Sequence, residues 1–219
     1  IGGAEASHFT GGTGNDLFVG DLLANASNSR DEAQFNQNYS RYEVTVVKAG
    51  DTVRQLAGDD SSQLIYDLSA LASGEITTAD GTVHQVGSHH TQAYVVRDIL
   101  SDAQGGDGVD LLFGVEKINF QDKWINLTTE VHENNDSSVP RAYIELTPFD
   151  DTFDMSAGTV TDQGNTVQAG VIKGAAGNDT VIGFKGGTQF YGGTGLDVFI
   201  SPDNFEGAAN DWHNQNQAQ

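Results

Sequence analysis

Alternation of apolar and polar residues runs through much of the chain and predicts strands. Tyr42, Val44 and Val46 alternate with polar neighbours, as on a half-buried strand, and Ile118 and Phe120 repeat the pattern. Tyr94-Val-Val96 reads as a short buried strand, and Ala142-Tyr-Ile-Glu-Leu146 as another. One stretch has helical spacing instead. Leu64, Ile65, Leu68, Leu71 and Ala72 share a helical face, Ser62 can cap its start and Gly74 can end it. The predicted class is mainly all-β with one or two short helices. The Ser/Asn-rich residues 133–138 read as an exposed loop.

Between the apolar positions stand glycine-aspartate turns with a fixed grammar. Gly11-Gly-Thr-Gly14-Asn-Asp16-Leu-Phe18-Val and Gly192-Gly-Thr-Gly195-Leu-Asp197-Val-Phe199-Ile fit G-G-x-G-x-D-x-U-x at every fixed position, U being a large apolar residue. Gly174-Ala-Ala-Gly177-Asn-Asp179-Thr-Val181-Ile fits with one lapse, Ala175. This nonapeptide is a calcium-binding parallel β-roll unit. Its glycines turn the backbone through positive φ and aim carbonyls at an ion, while the aspartate adds a hard charged oxygen. The metal-ligand candidates are therefore Gly11, Thr13, Asp16 and the following Asp21 in the first turn. In the later turns they are Gly174, Asp179, Gly192, Thr194 and Asp197, with Asp151 in the degenerate turn Pro148–Asp154.

Gly174, Gly183 and Gly192 are spaced by nine, and one full coil takes two nonapeptides. Gly174 and Gly192 should then stack on one edge with a calcium between their turns. The opposite edge, where Thr188 replaces the acid, should be poor in metal. Val181, Phe190 and Phe199 should fill the interior, and residues 147–200 read as a nearly continuous right-handed coil. The acidic, Asn-rich stretch after Gly192 ends in Gln217-Ala-Gln219, echoing Glu32-Ala-Gln34 after Gly11 and suggesting the start of another copy.

Charge changes the picture next. The 219 residues hold 31 acids against 10 bases, a net charge of −21. Such a surface repels nucleic-acid phosphates and anionic membranes, and its self-repulsion destabilises a compact state unless cations offset it. There is no cysteine, so disulfides and thiolate metal sites are excluded; an extracellular protein would need another staple, and calcium could supply it. Extracellular calcium modules bind with Kd of roughly 10⁻⁴ to 10⁻³ M. Several bound ions are expected. No apolar run is long enough to cross a membrane, and the chain opens within a motif without a signal peptide, as an excised module would.

The nonapeptides resemble those of the RTX (repeats-in-toxin) proteins of bacteria. Phe35–Val46, Tyr94–Asp98 and Gly106–Asp122, the last containing Asp107-Gly-Val-Asp110 and Gly114-Val-Glu116, look like the strand–strand–DGxDxLxGVExxxFxD segment that often accompanies RTX repeats. The resemblance covers about half of the chain. It implies a single RTX-type domain over 1–219: an N-terminal turn at 11–21, an intervening β region at 35–130, an RTX coil at 147–200, and a tail at 201–219. It also implies type I secretion to the extracellular space or bacterial surface and folding on contact with calcium.

The loop Asp102–Asp110 is not an EF-hand. It is open to two readings, calcium binding through Asp107 and Asp110 or a plain glycine turn. His84 and the pair His89-His90 lack the H-E-x-x-H spacing and read as surface loop, as do His8, His132 and His213. No G-x-S-x-G and no cysteine nucleophile is present, and the expectation is no enzyme. Tyr66, Trp124, Tyr143, Tyr191 and Trp212 are either core residues or stacking surfaces for a ligand. The scarce cations Arg41, Arg97 and Arg141 either pair with internal aspartates or receive a ligand carboxylate.

By resemblance, the chain is a calcium-dependent module of a large bacterial adhesin, monomeric when excised. It is expected to recognise a peptide or protein C-terminus on a target cell, without nucleic acid or membrane insertion. Asp102, Asp107, Asp110 and Arg141 are the candidate ligand residues. The competing expectations are a structural spacer that binds only calcium, a calcium-dependent lectin for cell-surface glycans, and a non-catalytic module of a secreted enzyme.

Overall fold

The computed structural model describes residues 6–20, 30–54, 63–134, 141–157, 159–162, 165–183 and 189–200. The chain is mainly β, and among the described residues helical structure is limited to three single 3₁₀ turns. It divides into two compact units, Ile1–Ile125 and Asn126–Gln219.

The first unit winds strand–turn–strand. Strands β1 (His8–Thr10), β2 (Leu17–Val19) and β3 (Glu32–Gln34) are followed by β4 (Tyr42–Lys48), β5 (Thr52–Arg54), β6 (Leu64–Asp67), β7 (Glu75–Thr78), β8 (Val83–Gln85) and β9 (Gln92–Asp98). The chain then returns through β10 (Val109–Phe113), β11 (Lys117–Asn119) and β12 (Trp124–Asn126). β1, β3 and β11 pair in parallel, and so do β2 and β10. In that register Phe9, Ala33 and Ile118 are laterally aligned in one sheet, and Phe18 and Leu112 in the other. The Phe9 and Phe18 rings stack 5.4 Å apart across the interior between the two sheets.

Strands β4 to β9 leave this winding and pair antiparallel. β4 pairs β9, β9 pairs β10, and β5–β6–β7–β8 form a meander. Residues Val53, Tyr66, Leu68, Leu71, Ile76 and Val95 pack on Val19, Leu111 and Phe113. β10 is thus covered on both faces, which explains its uninterrupted burial.

The predicted helix at 64–72 is not formed. Leu64–Asp67 is β6, paired with β5 and β7, and only Leu71–Ser73 turns as a 3₁₀ helix. Ile65 and Tyr66 are both buried, so the two-faced burial of a central strand imitated a helical stripe. The Asp67 carboxylate accepts the Ser69 amide at 2.9 Å and breaks the path. Ser62 lies outside the described residues. Gly74 does end the short turn, at φ 80°.

The second unit contains β13 (Glu130–Asn134), β14 (Arg141–Glu145), β15 (Thr152–Asp154), β16 (Thr159–Asp162), β17 (Asn165–Lys173), β18 (Thr180–Ile182), β19 (Gln189–Tyr191) and β20 (Val198–Ile200). Two parallel stacks alternate along the chain: β14–β17–β19 and β15–β18–β20. Ile144, Leu146, Met155, Ile172 and Val181 fill the space between them, with Phe153, Phe190 and Phe199 partly buried against them. The winding of 147–200 is not continuous: β16 and β17 form an antiparallel hairpin between its first and second rungs. Thr188 and the tail 201–219 lie outside the described residues. Of the loop expected at 133–138, Glu133 and Asn134 belong to β13, and the rest is outside the described residues.

Candidate cation-binding turns

Each unit stacks its glycine-aspartate turns one above the next. In the second unit the turns ending at Asp151, Asp179 and Asp197 lie in successive rungs, because β15, β18 and β20 pair with Thr152, Thr180 and Val198 in register. A single bonding pattern joins them. The Asp151 amide donates to Asp179 Oδ1 at 3.0 Å, and the Thr180 amide donates back to the Asp151 carbonyl at 2.8 Å. One rung on, the Asp179 amide donates to Asp197 Oδ1 at 3.1 Å and the Val198 amide to the Asp179 carbonyl at 2.7 Å. Asp179 and Asp197 thus each spend one carboxylate oxygen on the rung before and leave the other for the turn.

That second oxygen finds no partner among the described residues. Oδ2 of Asp179 and Oδ2 of Asp197 are buried without a hydrogen-bond partner. A methyl group at Gly174 would overlap both Asp179 Oδ2 and the Gly192 carbonyl oxygen, so two oxygens face the same small space. Burial first, and then the charges of Asp151, Asp197 and Asp150, push the Asp179 carboxyl up to about 7. Burial likewise raises Asp151, against the bonds donated by Thr147.

The first unit repeats the pattern at Asp16 and Asp110. The Asp16 amide donates to Asp110 Oδ1 at 2.8 Å, and the Leu111 amide to the Asp16 carbonyl at 2.9 Å. Oδ2 of both residues approaches the position of a Gly11 Cβ, at 3.0 and 3.8 Å. Asp110 is 2 % exposed, and burial with the neighbouring acids Asp16, Asp107 and Asp98 pushes its carboxyl up to about 8. Gly14, Gly108, Gly177 and Gly195, at the fourth position of their turns, all have φ between 100° and 127°. Methyls at Gly108 and Gly195 would strike the carbonyls of Gly14 and Gly177 in the rung before, so these turns stack backbone on backbone.

This stacking identifies a further unit at 105–113, within the loop whose sequence is open to calcium binding through Asp107 and Asp110 or to a plain glycine turn. Gly105-Gly-Asp-Gly108-Val-Asp110-Leu-Leu112-Phe is itself a complete G-G-x-G-x-D-x-U-x, and Leu112 pairs with Phe18, U with U. Asp107 is committed elsewhere: its carboxylate accepts the Tyr42 hydroxyl and lies 3.8 Å from Arg41 Nη2. Arg41 grips Asp98 with Nε bonds of 3.0 and 2.8 Å and donates to the Gly105 carbonyl at 2.6 Å. Burial opposes ionisation of Asp98, but Arg41 and the Leu100 and Asp107 amides outweigh it and hold the carboxyl below its usual range. Arg41 is therefore an internal pairing partner.

Other candidate residues are dispersed. Thr13 and Thr194 are exposed on their turns, and the Thr194 amide donates to the Ala175 carbonyl at 3.2 Å. Asp21 and Trp212 lie outside the described residues, as do the side chains of Asp102 and Arg141. Tyr66 is core: its hydroxyl donates to the Asp16 carbonyl at 2.8 Å. Trp124 is 54 % exposed beneath Lys117, and Tyr191 is 47 % exposed. The His89 and His90 rings lie 4.0 Å apart. Among the described residues no group of three His, Cys, Asp or Glu side chains is arranged to hold a metal by itself. A cation at these turns would need the backbone carbonyls as well. A cleft of about 210 Å³ opens beside the first turn, lined by Gly11, Gly12, Thr13, Gln34–Gln37 and Asp107.

Neither a protein-family model nor a curated protein sequence matches the chain.

Proposed function

We propose that this chain is a calcium-folded module of the RTX kind, carried by a secreted bacterial surface protein. The observation that supports it most is the pair of buried, unpaired oxygens, Asp179 Oδ2 and Asp197 Oδ2, in a stack where Asp179 shares its space with the Gly192 carbonyl. An anionic oxygen facing a carbonyl oxygen is repulsive unless a cation or a proton lies between them. An all-oxygen set suits a hard cation such as calcium. Asp179, Asp197 and the Gly192 carbonyl would hold one ion, and Asp16 with Asp110 another. Bound calcium supplies positive charge that keeps the carboxylates ionised and ties successive rungs together.

The proposed biological role is adhesion: calcium-dependent recognition of a peptide or protein C-terminus, with a cell-surface glycan as the alternative ligand. The cleft beside Gly11–Thr13 supports that role, since it abuts a cation turn and is lined by Gln34, Asn36 and Gln37, whose side-chain amides suit a polar ligand. The spacer reading has its own support, because Asp110 is buried and Asp107 is engaged by Tyr42 and Arg41. The test is to titrate calcium into metal-free protein, follow folding by circular dichroism, and screen the folded chain on C-terminal-peptide and glycan arrays with and without chelator. Folding with reversible, chelator-sensitive binding supports the adhesin. Folding without any binding leaves the spacer. Folding that ignores calcium refutes both.

A further inference from the structure

We propose a cation site that no nonapeptide marks, formed by Asp31 and the Gly114 carbonyl, with the charge of Glu116 in the adjoining rung, on the edge of the first unit where β3 and β11 begin. It rests on the calcium reading of the nonapeptide turns, whose internal geometry it copies. Asp31 is fully buried and its Oδ2 has no hydrogen-bond partner. A methyl at Gly20 would overlap both Asp31 Oδ2 and the Gly114 carbonyl oxygen. Gly174 stands in the same relation to Asp179 Oδ2 and the Gly192 carbonyl: a turn-opening glycine, the acid that closes its turn, and the carbonyl of the glycine opening the next rung.

The bonding between rungs agrees as well. The Ser7 amide donates to Asp31 Oδ1 at 2.6 Å, and the Glu32 amide returns to the Ser7 carbonyl at 2.9 Å. The Asp31 amide donates to Glu116 Oε2 at 2.7 Å, and the Glu116 and Lys117 amides return to the Asp31 carbonyl at 3.0 and 3.3 Å. Ser7, Asp31 and Glu116 thus occupy the rungs that Asp151, Asp179 and Asp197 occupy in the other unit. The donors are all oxygens, so the cation is a hard divalent one, calcium before any transition metal. The rival occupant is a proton: a neutral Asp31 could donate Oδ2–H to the Gly114 carbonyl.

Calcium bound per chain, measured by equilibrium dialysis near saturation, separates the two. Asp31→Asn keeps an acceptor for the Ser7 amide and offers an Nδ2 donor to Gly114, so it preserves the neutral arrangement while removing the charge. The expected result is one ion fewer than in the parent chain, with Asp179→Asn also losing calcium. If Asp179→Asn loses calcium and Asp31→Asn does not, this site is a protonated acid and the inference fails alone. If neither variant loses calcium, the RTX reading fails with it. Should Asp31→Asn not fold, Glu116→Gln decides: it keeps the acceptor for the Asp31 amide. It should weaken one calcium site at least ~tenfold by removing the carboxylate charge bonded to the Asp31 amide, and unchanged binding overturns the proposal.

Discussion

In its metal-free form this protein should be more stable in mild acid than at neutrality. Without metal, Asp110 and Asp179 have carboxyls raised to about 8 and about 7, against an unfolded value near 3.8. A raised folded value means the folded chain holds protons that the unfolded chain releases. The stabilisation is complete below the unfolded value and is lost as pH rises through 7 and 8. Between pH 5 and pH 7 each aspartate costs at most about 1.4 kcal/mol per pH unit, Asp179 less as it nears its own value, or roughly 5 kcal/mol for the pair. That is comparable to the whole stability of a small domain, about 5–15 kcal/mol. The assay is urea denaturation of resin-stripped protein followed by circular dichroism at pH 5, 6 and 7, repeated with saturating calcium. The metal-free midpoint should fall with pH, and calcium should remove or reverse the trend by holding the carboxylates ionised. General relief of the −21 charge acts in the same direction, so Asp110→Asn and Asp179→Asn provide the control. Both variants should flatten the slope far more than the loss of two charges among 31 acids would. A metal-free midpoint that rises or stays level from pH 5 to 7, or a slope indifferent to both variants, would refute the reasoning.

Three further perturbations probe the turns and their support. Ala175 holds φ 70° at the second position of its nonapeptide, where the consensus has glycine, so Ala175→Gly should raise stability by roughly 1 kcal/mol in a thermal melt with calcium present. Gly174→Ala drives a methyl onto Asp179 Oδ2 and the Gly192 carbonyl and should abolish calcium at that rung, whereas Gly12→Ala meets nothing within 4 Å and should bind calcium as the parent does. Arg41→Ala leaves Asp98, 1 % exposed, without its cation, and should cost about 3 kcal/mol by urea denaturation.

The parts of this fold that a sequence makes legible are those governed by short-range stereochemistry. A fourth-position glycine at positive φ, an acid and an inward apolar residue recur at fixed spacing, so Asp16, Asp179 and Asp197 can be read directly. Asp110 is visible as an acid, and its full nonapeptide, Gly105–Phe113, is also there to be read. It is hidden because Asp107-Gly-Val-Asp110 reads equally as an open ligand loop. The 64–72 segment misleads for a different reason. Periodicity reports which positions are buried, and a central strand buried on both faces gives the same apolar density as a helix stripe.

Glu116 is legible within Gly114-Val-Glu116, but Asp31 carries no local signal, because Gly20, the glycine its carboxylate faces, stands far from it in sequence. Gly20 and Asp31 are eleven positions apart. Asp21 stands where the consensus has its second glycine, and an Asn/Ser-rich stretch follows, so no nine-residue window contains both. The relation of Asp31 to Glu116 appears only when β3 and β11 align Ala33 with Ile118. Parallel winding forces this: once the interior residues stack, the acids that precede them must stack as well, two residues earlier in each rung. The same constraint places Asp16 beside Asp110 and Asp179 beside Asp197. Carboxylates brought together by an apolar register repel one another. The fold therefore needs a positive charge at each such edge, whether a cation or a proton; at Asp98 and Asp107, where β9 meets β10 antiparallel, the guanidinium of Arg41 supplies one.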